Sequence, residues 1–317
     1  MVRVAVVGAG AFGRHHVRIY ASRTDVELVG VCDTNAEVAQ SIASQFAVNH
    51  FTDFHKLIGK VDAVSLAVPT VSHHAIACEL LEAGVHVLVE KPMARNLDEA
   101  DAMISAAASG KAVLQVGQLE RFNPAVTAAR EVATAPRFFE AHRLSVFTPR
   151  SLDIDVVMDL MIHDIDVILS FAASEVAEIR AAGVPVVTPK VDIANARIEF
   201  ENGAVANLTA SRVSGDRVRK LRFFQPGEYI SIDYASQETA SVAVKRTEAG
   251  APDFNAGLLR VNRGEPLQIE IEAFLSAVGG AVTQVDGSEG RRALALALDV
   301  NAKIAAHLNK VSDVFGG

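Results

Sequence analysis

Residues 1–13, MVRVAVVGAGAFG, form an apolar run that breaks directly into Gly8, Gly10 and Gly13. Val2, Val4, Ala5, Val6 and Val7 read as a strand buried on both faces, and a helical pattern begins over 15–20. The three glycines have different tasks at such a junction. The first permits a tight turn, the second lets backbone approach a pyrophosphate, and the third lets the helix pack close to the strand. The helix N-terminus then offers free N–H groups to an anion. Ala11 and Phe12 complete the turn, so Gly8, Gly10, Ala11, Phe12 and Gly13 are the first expected cofactor-binding residues.

Glycine-rich turns also occur in other α/β sheets, so context has to carry the motif. A second apolar strand over 26–32 ends in Asp33, 20 residues beyond Gly13. That is where a carboxylate meets the adenosine ribose hydroxyls. Thr34 and Asn35 follow with no arginine to pair a 2′-phosphate, so the expected cofactor is NAD.

Outward from this unit, strand signals at 61–68, 85–89 and 112–116, with a short one near 49–51, alternate with helical stretches at 36–45, 73–83 and 97–107. The alternation predicts a doubly wound parallel sheet, a Rossmann-type NAD-binding domain over 1–118. The pattern then changes. Helices are expected at 123–133 and 152–171, alternating runs at 137–147, 191–200, 204–213, 217–225, 229–234 and 239–244, and late helices at 270–278 and 290–308. Turn signals Glu201-Asn202-Gly203 and Pro226-Gly227 separate several of the runs. Residues 119–317 thus read as an α+β domain with a mostly antiparallel open sheet.

The chain has 317 residues, enough for two cores. A net charge of −8 leaves no basic excess to neutralise phosphates, which argues against nucleic acid as a partner. No apolar run reaches membrane-spanning length, and glycines interrupt the N-terminal one too early for a secretion signal. A cytoplasmic location with no membrane partner is therefore expected. Cys32 and Cys78 fall in an expected strand and helix and read as core residues rather than a disulfide framework.

Three segments carry candidate chemistry. In Val89-Glu90-Lys91-Pro92 the lysine leaves the carboxyl edge of the parallel sheet, where open α/β folds bind ligands. A desolvated lysine there serves as acid or base; the plain alternative is a surface lysine after a strand. In 155–166, DVVMDLMIHDID, Asp155, Asp159, His163 and Asp166 recur at helical spacing on one face of a helix that is otherwise apolar apart from Asp164. Such a stripe lines a cavity, contacts a ligand or forms an internal network. Its alternatives are a solvated face, or a metal pair at Asp159 and His163 for which no third ligand motif is evident. In 117–124, GQLERFNP, Arg121 suits a carboxylate, phosphate or sugar hydroxyl, while Asn123 and Pro124 also suit a helix start.

Together, GAGAFG, EKP, RFNP and DLMIHDID resemble the Gfo/Idh/MocA family of NAD(P)-dependent oxidoreductases over essentially the whole chain. The resemblance implies that Lys91, Asp159 and His163 are catalytic, with Lys91 or His163 taking the proton of a substrate hydroxyl and Asp159 orienting them. It implies that Pro69, Thr70 and His73 pass beside the nicotinamide ribose and that Glu90 and Lys91 lie at the cofactor. Arg121, Phe122 and Asn123 join Lys91, Asp159 and His163 as substrate-binding residues, and the open sheet implies a homo-oligomer. GQLERFNP with DLMIHDID looks most like the UDP-N-acetylglucosamine 3-dehydrogenase branch, whose 3-keto product is aminated and in some bacteria feeds lipid A. Free sugars, inositols, or an NAD-dependent glycosidase are the alternatives within the family. Arg212, Arg217, Arg219, Lys220 and Arg222 form a basic cluster that suits a substrate pyrophosphate, but suits at least as well alternating strand residues that face solvent or a neighbouring subunit.

Overall fold

The computed structural model describes residues 1–148, 154–246 and 251–315. The chain begins with β1 (Val2–Val7), α1 (Gly13–Ala21), β2 (Val26–Cys32), α2 (Ala36–Phe46), β3 (Asn49–Phe51), β4 (Ala63–Leu66), α3 (His73–Glu82), β5 (His86–Glu90), α4 (Leu97–Gly110) and β6 (Leu114–Gly117). The six strands form one all-parallel sheet in the order β3-β2-β1-β4-β5-β6. Val4, Ala5, Val6, Val64, Val87, Leu88 and Val89 are all fully buried, as expected of strands covered on both faces. The strand order reverses between β1 and β4, and crevices outside the carboxyl ends of strands form at such switch points.

The chain continues with α5 (Pro124–Val132), β7 (Phe138–Leu144), a π-helical turn (Val157–Met161), α6 (Ile162–Ala172), β8 (Val176–Val184), β9 (Ile193–Phe200), β10 (Val205–Ser211), β11 (Val218–Gln225), β12 (Glu228–Asp233), β13 (Glu238–Arg246), β14 (Pro252–Leu258), α7 (Pro266–Val278) and α8 (Gly287–Phe315). Strands β7–β14 make an eight-stranded sheet in the order β14-β13-β12-β11-β7-β10-β9-β8. Every pairing is antiparallel except β7 with β10. Among the described residues no helix is long and apolar enough to cross a membrane.

Two of these strands are absent from the sequence-based expectation, β8 and β14. Both are edge strands: β14 is exposed along its whole length and opens on a proline, and most of β8 faces outward. With neither face buried consistently, neither shows the period-two apolar pattern on which strand reading depends. The helix expected over 152–171 also differs. Residues 152 and 153 lie outside the described residues, and the regular helix starts only at Ile162, behind the π turn.

The chain divides into two compact units, Met1–Gln118 with Leu267–Leu294, and Leu119–Pro266 with Ala295–Gly317. Leu267–Leu294, read from sequence as part of a second domain over 119–317, groups instead with the first unit. The reason is the unpaired edge of β6. Val116 N–H donates to Val285 O at 2.9 Å, Gln115 and Asp286 form an antiparallel bridge, and Gln115 Nε2 donates to Glu270 O at 3.1 Å. A Cβ on Gly290 would stand 2.5 Å from the Val116 side chain, so this approach requires glycine.

Candidate active site

The glycine turn owes its shape to close backbone contacts. Gly8 has φ +93°, and a Cβ there would lie 2.4 Å from Ala67 O; one on Gly13 would lie 1.8 Å from Gly8 O. A Cβ on Gly10 would meet nothing within 4 Å. Two glycines are thus demanded by the protein's own packing, whereas the space beside Gly10 is open, as close approach of a pyrophosphate to the backbone requires. Phe12, at the N-cap of α1, supplies no capping side chain; Arg14 N–H and His15 N–H bond the carbonyls of Gly10 and Phe12, and the helix end still directs its positive dipole end outward towards an anion. Ala11 is exposed and Phe12 is 40% exposed, edge-on to His16.

Asp33 stands just past β2, where Ala9 N–H donates to its Oδ2 at 2.8 Å and Asn35 N–H to its Oδ1 at 2.9 Å. These bonds tie the carboxylate to the glycine turn and leave further lone pairs for ribose hydroxyls. The turn, the helix end and Asp33 therefore match the demands of a dinucleotide.

At the ends of β4 and β5 the other expected residues separate into two kinds. Pro69, Thr70 and Lys91 are partly exposed at the carboxyl edge, and the Lys91–Pro92 peptide is cis. Glu90 is turned towards α1, its Oε1 3.0 Å from Nε2 of fully buried His16, and a Cβ on Gly117 would lie 3.1 Å from the same carboxylate. His16 escaped sequence reading, although its position among Val17, Ile19 and Tyr20 marks an inward face of α1.

His73 requires a correction. It is 1% exposed, with Nδ1 3.0 Å from Pro92 O and Nε2 2.9 Å from Val68 O. Both ring nitrogens face carbonyls of the first unit, and the neutral ring that burial favours donates to one of them at a time, so the side chain is taken up inside the unit rather than offered to a ribose. It sits between the turn after β4 and the turn that follows Lys91. Burial lowers its pKa, against the two carbonyl acceptors and Glu90, which favour the charged ring.

In the second unit the acidic stripe divides by task. Asp155 Oδ1 accepts from Val157 N–H at 2.9 Å and Met158 N–H at 3.0 Å, and its Oδ2 accepts from Asn301 at 3.0 Å. It caps the π turn. Asp166 is 2% exposed and faces Arg121 Nη1 at 3.4 Å. From Val156 to Leu169 the residues that reach the surface are Asp159, Leu160 and His163. The π turn carries Asp159 at its centre and ends just before Ile162, and π turns inside helices recur at functional sites.

Arg212 is 5% exposed, donates from Nη2 to Ile154 O at 2.8 Å, and lies 3.9 Å from Asp159 Oδ2 and 4.0 Å from Asp192 Oδ1. The residue belongs to the basic cluster, but only the folded sheet brings it to Asp159. Asp164 is the other departure. It is 2% exposed and bonds Arg143 at 2.8 and 3.0 Å, while Glu120 accepts from Arg143 Nη1 at 2.9 Å.

Phe122 and Asn123, expected at the substrate, are each 2% exposed. Asn123 Oδ1 caps α5 through Ala125 N–H, and its Nδ2 donates to Glu120 Oε2 and Tyr234 O, each at 3.1 Å. With all its hydrogen-bonding groups used internally, Asn123 is a cap and brace, and Phe122 is core. Arg121 keeps a 12% exposed side chain, held in place by Asp166.

The first unit's strand order, glycine turn and Asp33 define a Rossmann fold that binds NAD, the cofactor of oxidoreductase chemistry. Residues 2–118 match the model for the oxidoreductase family with an NAD-binding Rossmann fold, and 97–225 match the family's C-terminal domain. The chain belongs to the Gfo/Idh/MocA family of oxidoreductases. It is 40% identical, over 98% of its length and 99% of the relative's, to the UDP-N-acetylglucosamine 3-dehydrogenase of Acidithiobacillus ferrooxidans. A solved structure of that enzyme superposes with a TM-score of 0.90, at 39% identity, covering 96% of this chain and 98% of the other. Levoglucosan dehydrogenase in complex with NADH shares the fold at 20% identity and a TM-score of 0.84, covering 96% of this chain and 97% of that one. The inositol 2-dehydrogenase of Rhizobium meliloti is 24% identical over 98% of this chain and 99% of its own.

Proposed function

We propose that this protein oxidises the C3 hydroxyl of UDP-N-acetylglucosamine to a ketone, with NAD as acceptor. The observation that carries the substrate is the 40% identity, end to end, with an enzyme named for that reaction. When bound, NAD supplies the hydride acceptor, held by Gly8, Gly10, Ala11, Phe12, Gly13 and Asp33, with Pro69, Thr70, Glu90 and Lys91 at the carboxyl edge.

Lys91, Asp159 and His163 form the catalytic set. Lys91 or His163 accepts the proton of the substrate hydroxyl, and the Asp159 carboxylate orients that partner and supports its charged form. Arg212 holds Asp159 from the sheet side, so the acid keeps one geometry through turnover. Arg121 binds substrate, stiffened by Asp166. The product ketone is open to later amination.

The open sheet suits self-association, since Ile193, Phe224, Val244, Phe254 and Leu258 are exposed apolar residues on it. We assign the protein to the cytoplasm as a homo-oligomer, checked by light scattering on the purified chain.

The function is tested by following nicotinamide reduction with UDP-N-acetylglucosamine, UDP-linked sugars without the acetamido group, free sugars and inositols. Turnover of the first is expected; activity on polyols with none on the nucleotide sugar would overturn the substrate. Lys91→Met is expected to abolish turnover and keep NAD binding.

A further inference from the structure

Three arginines stand beside one another on the inner face of the eight-stranded sheet. Arg219 on β11 opposes Arg143 on β7, Ala210 on β10 opposes Arg143 from the other side, and Arg212 lies two residues beyond Ala210. Arg143 shares its face with buried Phe139 and Ala141, and Arg219 with buried Leu221 and Phe223.

Acids match two of the three. Arg143 has Asp164 and Glu120, and Arg212 has Asp159 and Asp192. Arg219 has no carboxylate at ion-pair distance among the described residues, and its Nε is buried with no hydrogen-bond partner among them. Burial, then the charges of Arg143 and Arg217, push its pKa down against the pull of Glu120 and Asp164. Arg217, just ahead of β11, is exposed. A half-buried guanidinium in this setting is unfavourable until an anion arrives, and its planar fork suits phosphate oxygens.

We propose that Arg219, assisted by Arg217, binds the phosphate groups of the substrate. This rests on the nucleotide-sugar reading above and gives the substrate's diphosphate a place in the second unit. The other diphosphate available is that of NAD, and the two are separable by titration.

The experiment titrates UDP into NAD-loaded protein by calorimetry, for the wild type and for Arg219→Met, Arg219→Lys and Arg217→Gln. Arg219→Met is expected to weaken UDP by about tenfold or more, Arg217→Gln by roughly threefold, and Arg219→Lys to lie between Arg219→Met and the wild type. NAD affinity stays at the wild-type value. Without UDP, Arg219→Met melts no lower than the wild type, because the guanidinium is not a brace. Unchanged UDP binding in Arg219→Met, absence of UDP binding in the wild type, or a loss confined to NAD would each overturn the anion site. Turnover separates the two ideas. A wild type that oxidises UDP-N-acetylglucosamine, with KM unchanged in Arg219→Met, refutes the anion site alone. A wild type that binds UDP through Arg219 but oxidises no nucleotide sugar refutes the proposed function alone.

Discussion

His73 Nδ1 lies 3.0 Å from the carbonyl oxygen of Pro92, so a histidine on α3 holds the turn immediately behind Lys91. Val68 O faces its other nitrogen, so the ring sits between two turns at the carboxyl edge of the sheet and, when neutral, donates to one of them at a time. Because burial lowers its pKa below the ordinary 6.5, the unfolded chain binds a proton before the folded one does. This contribution to stability is full above about pH 6.5 and is lost as pH falls towards the folded value. Melting temperature should therefore drop between pH 7 and 5. His86, half-buried and shifted the same way by burial, adds to the slope. His73→Gln should flatten it to the share left by His86 and the carboxylates, less the opposing share of His55, whose pKa its hydrogen bond to Asp53 raises.

Gly10 and Gly13 should respond oppositely to alanine. Gly13→Ala places a methyl 1.8 Å from Gly8 O and should destabilise the first unit, lowering its thermal melting point. Gly10→Ala meets nothing within 4 Å, so melting should match the wild type while NAD affinity falls about tenfold or more. A Gly10→Ala protein that binds NAD normally would remove the pyrophosphate from that side of the turn.

Arg212→Met should lower kcat by about tenfold while sparing NAD affinity, since the residue acts through Asp159, 3.9 Å away. Arg212→Lys should recover part of the rate, because it keeps the charge without the bond to Ile154 O. Steady-state kinetics with a matched NAD titration makes the check.

The Arg143, Asp164 and Glu120 cluster is buried throughout, so removing one member leaves an uncompensated charge. Arg143→Met should cost about 3–5 kcal/mol in a urea titration. A triple change that also neutralises Asp164 and Glu120 should recover much of that loss.

Asp192 provides an acid-side prediction. Four contacts, from Val186, Val187 and Thr188 N–H and the Thr188 hydroxyl, hold its pKa down at about 2 despite burial, which works the other way. Its stabilisation is present above the ordinary 3.8 and is lost as pH falls towards about 2. Asp192→Asn should lower stability at pH 7 and lose less than the wild type on acidification from pH 5 to 3, read by intrinsic tyrosine fluorescence.

The first unit was legible because its determinants are local. Parallel strands such as Val4–Val7 are apolar on both faces, and Gly8, Gly13 and Asp33 follow the first two strands directly. Lys91, Asp159 and His163 could likewise be selected from short motifs. What the local pattern lacked were exposed edges without periodicity, at β8 and β14, and the return of Leu267–Leu294 to the uncovered edge of β6.

Side-chain tasks within the motifs depended on partners far along the chain. Helical spacing put Asp155, Asp159, His163 and Asp166 on one stripe, yet Asn301 claims Asp155 and Arg121 claims Asp166. Asn123 and His73 were spent internally for the same reason: buried polar atoms bond whatever the fold brings within reach. Sequence by itself determined the cofactor, the family and the catalytic candidates, because periodicity and turn chemistry reside in neighbouring residues. Only the tertiary structure decided which polar groups remain open, because burial and ion pairing depend on strands from distant parts of the chain.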